Sequence, residues 1–105
     1  MLGVFKKLFG SAPSTDYKEL LKSGATILDV RSPGEFASGH IKGAINIPVD
    51  QLSKNLSKLK DKERPIITCC ASGMRSASAK SILKGAGFTQ VYNGGGWSSL
   101  QSKIL

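Results

Sequence analysis

Cys70-Ala71-Ser72-Gly73-Met74-Arg75-Ser76 holds the residue types and spacing best suited to chemistry in this 105-residue chain. An apolar run, Ile66-Ile67-Thr68-Cys69, leads into it, and an alanine-rich helical pattern leaves it. That order predicts a strand, a tight loop and a helix start, with a thiol at the head of the loop and a guanidinium at its end. Loops of this kind gather backbone N–H groups, and the following helix points the positive end of its dipole at the same spot. A free thiol has a pKa of about 8.5, so only about 3% of it is thiolate at pH 7. Donors that stabilise the thiolate lower that value, and a fall of about two units would leave the thiol mostly ionised. The setting is that of a nucleophile.

Two cysteines, Cys69 and Cys70, stand side by side, and the chain has no other. A bridge between adjacent residues needs a geometry far from the usual Cα separation, so no structural disulfide is expected. One histidine, His40, and one vicinal thiol pair do not supply zinc ligands at usable spacing, so no metal site is expected. Cys69 lies inside the apolar run and reads as a small buried hydrophobe. Counted from Cys69, five residues precede Arg75, which is the spacing of the cysteine-dependent phosphatases; counted from Cys70, four do. The shorter loop gives a smaller ring of donors, which suits a sulfur atom carried on the thiol better than a phosphoryl group. A phosphatase or arsenate reductase working through Cys69 is the alternative that the longer count leaves open.

Cys70, Gly73, Arg75 and Ser76 match, residue for residue, the Cys-x-x-Gly-x-Arg-Ser active loop of the rhodanese family, which this sequence resembles. The blocks Asp29-Val30-Arg31, Glu35-Phe36, Gly39-His40-Ile41 and Gly43 to Pro48 resemble the family's upstream signature. Gly87-Phe88 and Val91 to Gly95 resemble its last strand and the turn that follows. The resemblance spans about residues 14 to 100. It implies an α/β fold, a single rhodanese-like domain with a central parallel sheet and helices on both faces. It also implies a sulfurtransferase in which Cys70 carries a persulfide, with no metal or organic cofactor. The expected partners are a small anionic sulfur donor such as thiosulfate and a thiol or protein acceptor, with the chain acting as a monomer. A second alternative is a rhodanese-like module that carries or binds sulfur only within a partner complex.

Within that frame the loop Ala71, Ser72, Gly73, Met74, Arg75 and Ser76 is the expected substrate-binding segment. Ala71 and Met74 fill positions that vary between members and bear on the choice of acceptor. Gly73 is expected to adopt a backbone angle closed to other residues, and Ser76 to cap the helix. Arg75 either orients an anionic donor or braces the loop against Asp29 or Glu35. Asp29 and Arg31 read as a supporting ion pair. His40 reads as structural, because sulfur transfer to an ionised thiol needs no base, and Trp97 as a core or pocket wall.

The length fits one domain. Residues 1–12 read as an appendage to a domain of residues 13–105, with Leu2, Phe5, Leu8 and Phe9 lining one side of a short helix beside Lys6 and Lys7. Such a helix is a weak membrane anchor, and packing on the domain or fraying is the stronger expectation. No apolar run is long enough to cross a bilayer or to form a signal peptide, and free thiols fit a reducing cytoplasm. The net charge of +8 is spread along the chain without an aromatic-interleaved basic stripe, so nucleic acid is not an expected partner. It serves solubility, or draws small anions toward the thiol.

The elements follow from local signals. Asp16 with Glu19 starts a helix that Gly24 stops. Ala25 to Val30 reads as a strand, and Ser32-Pro33-Gly34-Glu35 as a capping box whose helix ends at Gly39. Ala44 to Pro48 reads as a second strand. Asp50 is expected to cap a helix with Leu52, Leu56 and Leu59 on one side. Pro65 starts the strand that delivers Cys70. A helix from Ser76 to about Lys84 follows, then a strand at Val91-Tyr92 and a short helix with Trp97 and Leu100. Alternating strands and helices imply a parallel sheet covered on both sides.

Overall fold

Four strands form one parallel sheet in the order β2-β1-β3-β4: β1 (Thr26–Asp29), β2 (Ile45–Asn46), β3 (Ile66–Cys70) and β4 (Val91–Gly96). The structure, a computed structural model, describes residues 15–105. The expected appendage of residues 1–12 lies outside the described residues. α1 (Tyr17–Lys22) precedes β1, α2 (Pro33–Ser38) and α3 (Met74–Gly85) run between strands, and α4 (Trp97–Ile104) follows β4.

Side chains alternate across a strand, so β3 feeds two separate cores. One side buries Leu28, Val30, Ile66 and Cys70 beneath Ala79 and Leu83 of α3 and the nearby Leu52 and Leu59. The other buries Ile27, Ile67 and Cys69 against Leu100 of α4, with Tyr17, Leu20 and Leu21 of α1 packed around them. The sheet is therefore covered on both faces, as the α/β rhodanese-like reading requires. Because all four strands run the same way, their carboxyl ends meet at one pole. Asp29, Cys70 and Gly96 stand there, at the end where ligands bind in open α/β sheets.

Local caps fix the two short helices. Asp16 accepts a hydrogen bond from the Glu19 N–H at 3.1 Å. Ser32 and Glu35 form a full capping box, with proline in the first turn of α2. The expected helix after Asp50 is absent. In its place are two 3₁₀ stretches, Val49–Lys54 and Leu56–Lys58, with Pro48 at the cap position and no side-chain cap. Asn55 separates them with its backbone at φ −124°, and its amide donates to the Gln51 carbonyl at 2.8 Å. That side-chain bond competes for the carbonyl an α-helix would use. Leu52 and Leu59 are still buried, as their spacing demanded.

Candidate active site

β3 delivers Cys70 directly into the loop Ala71-Ser72-Gly73. The turn closes because Gly73 sits at φ +106°, left-handed backbone that favours glycine, and serves as the N-cap of α3. Ser76 is therefore not the cap: α3 begins at Met74, and Ser76 lies buried in its first turn. In that position both its N–H and its hydroxyl face the sulfur.

The Gly73 N–H donates to Cys70 Sγ at 3.0 Å and the Ser76 N–H at 3.4 Å, while the Ser76 hydroxyl lies 3.6 Å from the sulfur. Burial by itself pushes the Cys70 thiol up, more than any single donor pulls it down. The Ser76 hydroxyl and the N–H groups of Ser76, Gly73 and Ser72 together outweigh it, and the thiol ends below its ordinary value. Cys70 is fully buried under the loop, whose residues Ala71, Ser72 and Met74 are exposed.

Cys69 faces the opposite core. Burial first, and then the Asp29 charge beside it, push its thiol up to about 12. A buried neutral thiol away from the loop is no nucleophile, so the geometry does not support phosphatase chemistry through Cys69.

Arg75 forms a bidentate pair with Glu35 of α2, at 2.7 and 3.0 Å. Of the two carboxylates the sequence left open, Glu35 is the brace. The Arg75 bonds hold the Glu35 carboxyl down at about 2. Asp29 is instead taken by Arg31, in a buried pair whose shortest contact is 2.7 Å. Arg31 also donates to the carbonyls of Gly39 at 2.7 Å and Glu35 at 3.3 Å and lies 4.7 Å from the centre of the Trp97 ring. The expected supporting ion pair thus shapes the segment that carries Glu35, which in turn holds the loop through Arg75. His40 is exposed, bonded through Nδ1 to the Phe36 carbonyl at 2.7 Å and stacked on the Phe36 ring. Trp97 is half-buried against the α1–α4 core.

Asn93 is a residue of this site that the sequence did not single out. Its Oδ1 accepts from the Ser76 hydroxyl at 2.6 Å and from the Gly95 N–H at 2.9 Å, and its Nδ2 approaches the Gly73 carbonyl at 3.4 Å. Only the Asn-Gly-Gly-Gly run hinted at it, as a turn after the last strand. Among the described residues no cluster of three or more metal-ligating side chains exists, and no helix is long and apolar enough to cross a membrane.

The model of the rhodanese-like domain matches residues 14–103. The chain belongs to the rhodanese family. It is 38% identical over 81 residues to the uncharacterized protein YqhL of Bacillus subtilis, covering 76% of this chain and 64% of that protein. It is 37% identical to the thiosulfate sulfurtransferase GlpE of Ectopseudomonas mendocina, over 72% of this chain and 69% of the relative. The thiosulfate sulfurtransferase PspE of Escherichia coli is also 37% identical, over 66% of this chain and 67% of PspE. This rhodanese-family chain therefore spans about two thirds of the length of the curated relatives it matches. Among solved structures, a rhodanese with anions from E. coli superposes with a TM-score of 0.69 at 34% identity, covering 72% of this chain and 91% of that one. The human single-domain sulfurtransferase TSTD1 superposes at 0.71 with 30% identity, covering 83% of this chain and 90% of that one.

Proposed function

We propose that this protein is a sulfurtransferase that takes the outer sulfur of thiosulfate, or of a like anionic donor, onto Cys70 and passes it to a thiol or cyanide. The Cys70 thiolate attacks the sulfane sulfur of the donor. The donor's S–S bond breaks, its electron pair leaves with sulfite, and a Cys70 persulfide remains. An acceptor nucleophile then attacks the outer sulfur, and the electron pair of the persulfide bond returns to Cys70 as thiolate.

The observation that carries this reading is the convergence of the Gly73 and Ser76 N–H groups on one sulfur, at 3.0 and 3.4 Å. They face negative charge on the thiolate before attack and after discharge, in the manner of an oxyanion hole. The exposed tip of the loop, Ala71-Ser72, has to give way for the donor to reach the buried sulfur. Arg75 acts on the loop through Glu35, and no proton carrier is required. The names of GlpE and PspE support the reaction class.

Intact mass after incubation with thiosulfate tests the proposal. The parent protein gains one sulfur atom, which cyanide removes as thiocyanate. Cys70→Ser keeps the fold and gains nothing, while Cys69→Ser still loads. Turnover of thiosulfate by Cys70→Ser at the parent rate overturns the assignment.

A further inference from the structure

The Ser76 hydroxyl has one proton and three acceptors within reach: Asn93 Oδ1 at 2.6 Å, the Gly73 carbonyl at 3.0 Å and Cys70 Sγ at 3.6 Å. The Gly73 carbonyl already receives the Ala77 N–H at 3.1 Å and the Asn93 amide at 3.4 Å. The orientation of the Asn93 side chain is fixed by the Gly95 N–H, which must find an oxygen. With sulfur protonated, the chain of bonds therefore runs from the Cys70 S–H to Ser76 Oγ and from the Ser76 O–H to Asn93 Oδ1. With sulfur ionised, the best use of the same proton is a charge-assisted bond from Ser76 to the thiolate. Asn93 Oδ1 then still holds the Gly95 N–H, so turning the hydroxyl leaves no buried acceptor orphaned.

We infer that Asn93 is a positioning residue for Cys70: it holds the Ser76 hydroxyl turned away from a protonated or sulfur-loaded Cys70 and yields it when the thiolate forms. The consequence is a competition. Asn93 favours the states in which the inner sulfur bears no charge, so it restrains ionisation of the free thiol. It also favours the loaded state, where the charge has moved to the outer sulfur and the inner one no longer needs the hydroxyl. The other titratable groups around the loop do not replace it. Arg75 of α3 is matched by Glu35 of α2, and Cys69 is neutral on the far side of the sheet. Tyr17 of α1 reaches Asn93 only through its backbone carbonyl, at 3.2 Å. The inference deepens the proposed role of Cys70 as nucleophile, and its test uses no sulfur donor, so it stands or falls apart from sulfur transfer.

The test is the pH dependence of Cys70 alkylation by iodoacetamide, read by mass. Asn93→Ala moves the midpoint down, so that alkylation below the midpoint runs about threefold to tenfold faster, the worth of one neutral hydrogen bond. Ser76→Ala moves it up, and in that background Asn93→Ala no longer shifts it. Asn93→Ser keeps a local partner for the Gly95 N–H but is too short to reach Ser76, and it is expected to behave like Asn93→Ala. Asn93→Ala raising the midpoint, acting equally with and without Ser76, or being corrected by Asn93→Ser, overturns the inference. In each case the side chain is then only a brace for the end of β4.

Discussion

Alternation along β3 sends Cys69 into the core beneath Leu100 and Cys70 into the ring of N–H donors, and the two thiols respond to pH with opposite sign. Cys70 lies below its ordinary value when folded, so its ionisation supports the fold above that value, and the support is lost as pH falls through the folded pKa. Glu35, held at about 2 by Arg75, behaves the same way in acid, supporting the fold above 4.5 and losing that support as pH falls toward 2. Cys69 is raised, from 9.0 to about 12, so its stability contribution is complete below 9 and drains away as pH climbs toward 12. In that window the unfolded chain has released the proton that the folded chain keeps. Urea unfolding at pH 9 and pH 10 checks this: the parent loses about 1 kcal/mol more than Cys69→Ala across that unit. Parallel pH slopes for the two proteins would place Cys69 in a wetter site than the far core.

At the scale of elements, the expected turn after Asn93 is instead the glycine-rich end of β4. There the register against β3 shifts between Thr68 and Cys70, and the two strands lie with no room for a side chain. A Cβ on Gly94 would stand 2.8 Å from the Thr68 carbonyl oxygen and 2.9 Å from atoms of Ile67 and Leu100. The carbonyl belongs to the central strand and cannot retreat, so Gly94→Ala is expected to cost about 1–3 kcal/mol, seen as a lowered melting temperature. It should also disturb Cys70 reactivity, because the same stretch of β4 carries Asn93. The helices that the sequence made legible are those whose signals are local: Asp16 with Glu19, and Ser32 with Glu35, cap within three residues. The 3₁₀ stretch was not legible, because its leucine spacing suits either helix type and the Asn55 side chain decides the matter. The loop's thiol and Gly73 were readable from type and spacing. The role of Ser76 was not, since it depends on α3 beginning two residues earlier, at Met74. Asn93 meets Ser76 only through tertiary packing, across 17 residues, and no local pattern announces that. Arg75 and Glu35 lie 40 residues apart, so the partner of Arg75 was left open between two carboxylates, although the Asp29–Arg31 pair that occupies the other one was expected.

For the molecule as a whole, a parallel sheet gathers every strand's carboxyl end at one pole, and the chain carries a net charge of +8. At that pole Arg75 contributes little charge at short range, because Glu35 matches it, and Arg31 is likewise matched by Asp29. What reaches an approaching anion is the summed charge of 15 lysines and arginines against 7 acidic residues, acting over distance. Such a field is screened over about 10 Å at 0.1 M salt, whereas hydrogen bonds within the buried loop are not. The two contributions therefore separate by ionic strength. Between about 0.02 M and about 0.3 M sodium chloride, kcat/KM for thiosulfate is expected to fall severalfold, since steering of a dianion is a rate effect of the exposed charge. Over the same range alkylation of Cys70 by neutral iodoacetamide should change little, because the donors that set its ionisation are the local N–H groups and Ser76. Thiosulfate turnover indifferent to salt would reduce the excess charge to a solubility role, leaving the loop alone to attract the donor. Loss of both rates together would instead mean that salt reaches the thiolate itself, and that the ring around Cys70 is open to solvent.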